Sequence, residues 1–144
     1  MRVIGLLFAG SLLLAGSALM AQEPGPRPVG TMSELMMSMT YPAANDILLI
    51  VRRGGPQDDA EWRAVQRAAV LLGESGNVMM MSGRAMNRGS WIREANALVD
   101  VATAAYRAAG ERDGDALIAL GEPLSVSCVE CHRQFRPNVH PPRP

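Results

Sequence analysis

Four stretches of the chain repeat apolar residues every three or four positions, the spacing of one face of an α-helix. The first, about residues 31–52, places Met32, Met36, Met39, Ala43, Ile47 and Ile50 on one stripe, with Pro42 inside it predicting a kink or a break and restart. The second, about 59–82, follows a GGPQDD turn whose Asp58 or Asp59 can cap it, and its stripe is Trp62, Val65, Ala69, Leu72 and Met79. The third, about 90–109, can be capped by Ser90 and carries Ile92, Ala95, Val99, Ala102 and Tyr106. The fourth, about 113–135, starts at Asp113 and runs Leu117, Leu120, Leu124, Cys128, Cys131, Phe135, with Gly121 and Pro123 predicting a kink. No alternating β-branched run suggests a strand, and aromatics are only 4% of the residues. The expected fold is therefore all-α, an antiparallel four-helix bundle.

The ends read differently. After Arg2 comes an uncharged apolar run, VIGLLFAGSLLLAGSALMA, with small residues near its end and a polar, proline-rich segment behind it. That order predicts a secretory signal peptide over residues 1–21, cleaved after Ala21 or, alternatively, after Ala18. No cysteine sits at the boundary, which argues against a lipid anchor there. Residues 22–30 are expected to be a flexible segment, 31–137 the helical domain and 138–144 a proline-rich tail. No further stretch is apolar and long enough to span a bilayer, so the mature chain is expected in an exported, periplasmic compartment. The 14 basic and 14 acidic residues balance, and losing Arg2 leaves a slight acidic excess. This argues against nucleic acid as a partner, since a basic face is needed to neutralise phosphates. All basic residues are arginine, which genomic composition explains before function does.

Both cysteines and one of the two histidines lie in SVSCVECHRQFRP, residues 125–137. On a helix, Cys128, Cys131 and His132 fall within an arc of roughly 100°, continuing the apolar stripe. Two thiols and an imidazole then face the interior, where a large flat apolar cofactor could lie between helices. The C-x-x-C-H spacing points to one covalently attached haem c. Each sulfur adds to a porphyrin vinyl group and the adjacent histidine reaches the iron beneath the ring. Three other readings compete. A disulfide or redox dithiol would sit at a helix N-terminus beside a strand, and no strand is expected. A zinc site would need Cys128, Cys131, His132 and His140, with two ligands adjacent and one in the tail, a poor tetrahedron. Two buried cysteines without chemistry would leave the neighbouring histidine unexplained.

A four-helix bundle with an export signal and this motif on its last helix resembles the class II cytochromes c, which include cytochrome c′ and its low-spin relatives. The resemblance covers about residues 29–137 and is carried by CVECHRQFR, while TMSELMMSMTYPAAN looks like the first helix of exported, methionine-containing members. It implies Cys128 and Cys131 as the thioether residues and His132 as the proximal iron ligand. Phe135 and Arg136 match the aromatic and basic positions after the motif, although the aromatic there is often tyrosine, so no phenol hydroxyl is available here. The family places its distal residue on the first helix, which makes Met36 the expected distal ligand and Met32 the next candidate. Methionine ligation gives low-spin iron suited to electron transfer.

The same resemblance implies a single-electron carrier that works with redox partner proteins and can form a homodimer through outer helix faces, and since no acid/base pair or nucleophilic arrangement stands out, the chain is not expected to be an enzyme. The alternative within the family is a five-coordinate protein binding NO or CO, with Met36 only lining the pocket. The alternative from another class is a haem-free CxxC thiol redox protein. Methionine is also a flexible core filler, and most of the ten here must serve that way. A methionine-rich copper(I) site would leave the Cys-Cys-His motif unused. Arg84, Arg88, Arg133 and Arg136 are candidate partners for haem propionates, each also readable as a solvated surface arginine. Trp62 and Trp91 read as packing anchors.

Overall fold

The computed structural model describes residues 25–86 and 88–138. The expected signal peptide and most of the proline-rich tail, His140 included, lie outside the described residues, as does the Arg88 side chain. Within them the chain is helical, without strands: α1 (Met32–Leu35), a π turn (Met36–Thr40), α2 (Tyr41–Arg52), α3 (Asp59–Met79), α4 (Arg88–Glu111), α5 (Gly114–Ala119) and α6 (Gly121–Phe135). None of the described helices is long and apolar enough to cross a membrane.

Local chemistry explains where these elements begin and break. Thr31 and Glu34 form a reciprocal capping box: the Thr31 hydroxyl accepts from the Glu34 N–H at 3.2 Å, and the Glu34 carboxylate accepts from the Thr31 N–H at 2.7 Å. Pro42 stands in the first turn of α2. Its ring would clash with a carbonyl one α-turn back. The backbone ahead of it instead widens into the π turn, where the Tyr41 N–H donates to the Met36 carbonyl five residues earlier. The disturbance expected at Pro42 is thus a register change without a gap in the helix.

Asp58 caps α3, accepting the Glu61 N–H at 2.9 Å. That helix ends at Met79, earlier than expected, and turns at Met80 to Arg84 follow it. Ser90 is not a cap: α4 already begins at Arg88 and places Ser90 in its first turn. Asp113 does cap, accepting the Ala116 N–H at 2.9 Å, but the helix it opens stops at Ala119. α6 restarts at Gly121 and takes Pro123 into its first turn, where a missing N–H leaves no intrahelical bond unmade.

The helices pack α2 on α3, α3 on α4, α4 on α6 and α6 back on α2, with α5 against α4, α2 and α6. Ile47, Val65, Leu72, Leu117 and Leu124 are almost wholly buried among them. Each contributes about 1.5–3 kcal/mol by leaving water. Small residues set the closest approaches. A Cβ on Gly76 of α3 would stand 2.7 Å from Val99 Cγ2 on α4, and one on Gly121 would stand 2.8 Å from Val51 Cγ1 on α2.

The inward face of α4 differs from the expected stripe. Tyr106 is exposed, while Trp91, Ala95, Leu98, Val101, Ala102, Ala105, Ala108 and Ala109 are buried. The reason is that α4 touches α3, α5 and α6 at once, so its buried surface is broader than one narrow stripe and turned away from Tyr106.

Candidate functional site

The break before α6 separates the motif-bearing helix from α5 and lets its second half run along the start of α4. Cys128, Cys131 and His132 stand there half-buried, on one arc. The π turn packs on α3 and α2, and an apolar cleft lies between it and this part of α6.

The cleft has two lobes, of about 190 and 280 Å³. Met36, Trp91, Cys131, His132 and Arg136 line both. Cys128, Thr40, Met79, Glu94, Ala95 and Leu98 are among the other residues of the first, while Met32, Met86 and Phe135 belong to the second. Trp91 ties the cleft to the surrounding helices. Its ring meets Phe135 edge-on at 4.8 Å and its indole N–H donates to the Met79 carbonyl at 2.8 Å. That carbonyl is at the end of α3, where intrahelical donors have run out.

Both cysteines are free thiols. Burial pushes the Cys128 thiol up from its ordinary value, against a smaller opposing effect of the Ser127 side chain. Burial also pushes Cys131 up to about 11, reinforced by the negative charge of Glu94 and by Cys128. Reactive dithiols have the opposite setting, at a helix N-terminus or beside a cation that stabilises thiolate. Here the pair lies in the second half of α6 and stays protonated at neutral pH, which weighs against thiol redox chemistry.

Among the described residues Met36 is the only methionine that lines both lobes; Met32 and Met86 border the second, and Met79 and Met37 the first. Of the candidate arginines, Arg136 lines both lobes, and Arg133 pairs with Glu130 on the surface. Arg84 donates through Nη2 to the Gly30 carbonyl at 3.0 Å and keeps a buried Nε without a hydrogen-bond partner. Among the described residues, no group of three or more His, Cys, Asp or Glu is placed to hold a metal ion. The fourth zinc ligand considered, His140, lies outside them.

Trp62 is half-buried against the core, as a packing anchor should be. Trp91 is more than that, because it also walls the cleft. Thr40 and Glu94 were not expected at the site. Glu94 precedes the core position Ala95 and looks like a surface charge in the pattern. Thr40 carried one usable signal, its place two residues before a proline that disturbs helical register.

The chain matches no family model, no curated protein and no solved structure.

Proposed function

We propose that this chain is an exported monohaem cytochrome of the class II type, an antiparallel four-helix bundle that passes single electrons between redox partner proteins. One observation carries the reading: an apolar cleft bounded on α6 by Cys128, Cys131 and His132 and on the π turn by Met36. When bound, haem c supplies a one-electron iron couple.

The residues present fit that group. Cys128 and Cys131 would tether it, and His132 and Met36 would supply the iron with an imidazole and a soft thioether, both suited to haem iron. Ala44, Ala95, Leu98 and Trp91 provide an apolar lining that excludes water. Arg136, at the rim of both lobes, would hold a propionate. At the mouth, the exposed apolar side chains of Met37, Tyr41 and Met86 form a rim against which a partner can dock.

The test is optical. The protein is purified from a host that attaches c-type haem, and its spectra are recorded oxidised and reduced, with and without carbon monoxide. Covalent haem with a low-spin spectrum indifferent to carbon monoxide is the expected result. A high-spin spectrum with rapid carbon monoxide binding would replace electron transfer with the NO- or CO-binding reading. A chain without covalent haem would overturn both.

A further inference from the structure

Thr40 lines the first lobe of the cleft and is 6% exposed, yet its hydroxyl has no hydrogen-bond partner. Four other helical hydroxyls are back-bonded instead. Ser75 and Ser127 donate to carbonyls three residues back, and Thr103 and Ser125 to carbonyls four residues back. That back-bond is the usual resting place of a hydroxyl inside a helix.

The π turn explains the exception. The carbonyl four residues before Thr40 is that of Met36, and in the π turn it accepts from the Tyr41 N–H five residues on, so the four-residue register that such a back-bond uses is broken there. The register change ahead of Pro42 therefore releases the Thr40 hydroxyl and brings Met36 to the cleft together. A buried hydroxyl without a partner destabilises a fold, so it persists where another interaction uses it. Side chains on a helix lean toward its N-terminus, and Thr40 follows Met36 by about one turn of the π segment. Thr40 thus leans toward the turn that carries Met36, and both border the same lobe.

We propose that the Thr40 hydroxyl donates a hydrogen bond to the Met36 thioether sulfur when that sulfur is an axial iron ligand, making Thr40 a positioning residue that raises the reduction potential. The inference rests on the cytochrome reading above. A thioether sulfur has two lone pairs, one for the metal and one free to accept. A hydrogen bond to the second draws electron density from the sulfur, which weakens its donation to the oxidised iron more than to the reduced iron. Valine keeps the shape of threonine without the donor; serine keeps the donor.

The experiment compares haem-loaded wild type, Thr40→Val, Thr40→Ser, Met36→Ala and the Met36→Ala/Thr40→Val double variant. It reads the reduction potential and the energy of the sulfur-to-iron charge-transfer band. Thr40→Val is expected to shift the one-electron equilibrium about twofold to threefold toward the oxidised form, less than the worth of one net hydrogen bond because the bond is present in both oxidation states. The charge-transfer band should move with it, and Thr40→Ser should leave both near wild type. In the Met36→Ala background the valine change should have no effect on potential, a non-additivity that a merely structural role would not produce. A Met-ligated Thr40→Val protein with wild-type potential and band would overturn the inference while leaving the cytochrome reading intact. An equal shift with and without Met36 would also overturn it. A wild-type chain that attaches no haem would remove the cytochrome reading and this inference with it.

Discussion

Met36 on the π turn and His132 on α6 line both lobes of the same apolar cleft from different helical segments. No other methionine and histidine share that relation among the described residues. Replacing Met36 with alanine is accordingly expected to convert a low-spin protein to a high-spin one that binds carbon monoxide. Optical spectra of the haem-loaded variant check this, and a spectrum unchanged from wild type would reject Met36 as ligand.

Trp91 joins three parts of the molecule: the end of α3 through Met79, the end of α6 through Phe135, and the wall of the cleft. Trp91→Phe keeps an aromatic ring but strands the Met79 carbonyl in a buried place. The expected loss is about 1–3 kcal/mol of stability, the cost of a buried group left unpaired. Urea denaturation measures it, and an unchanged midpoint would mean the carbonyl finds another donor.

Gly76 costs α3 helical propensity, so Gly76→Ala would add about 1 kcal/mol on an exposed helix. Here the new methyl would sit 2.7 Å from Val99 Cγ2 and 3.2 Å from the Ala95 carbonyl. Overpacking of that kind costs about 1–3 kcal/mol, so the variant should be less stable than wild type. Adding Val99→Ala should recover much of the loss in thermal denaturation, because it removes the nearer obstacle.

The Cys131 thiol offers a test by pH in the haem-free chain. Burial foremost, then the Glu94 charge and Cys128, raise it from 9.0 to about 11. Its thiolate fraction at neutral pH is then about a hundredfold below that of an ordinary thiol, and alkylation should be slow by a similar factor. The rate should climb through pH 11. The unfolded chain loses this proton first, near pH 9, so stability should fall as pH rises from 9 toward 11. Fast alkylation at pH 7 would show a thiolate-stabilising environment and favour the dithiol reading.

Much of this architecture could be read from residue spacing, because periodicity and capping are local. Asp58 and Asp113 cap where their spacing predicts, and Ala43, Ile47, Val65, Leu72 and Leu124 are buried on the expected stripes. Tyr106 and Ser90 went otherwise for tertiary reasons. A helix touching three others buries more than one stripe, and α4 extends past Ser90 to Arg88. The shared arc of Cys128, Cys131 and His132 on α6 was legible because the three lie within five residues of each other. The places of Trp91 and Thr40 at the cleft were not, since they depend on a carbonyl from another helix and on a backbone register change.

The mass of the intact protein, purified from a host that attaches c-type haem, tests the central claim most directly. Wild type should weigh one haem more than its polypeptide, and the increment should survive denaturation. The Cys128→Ala/Cys131→Ala double variant should lose it on denaturation, while either single variant retains one link. A wild-type chain with only its polypeptide mass would contradict the haem reading.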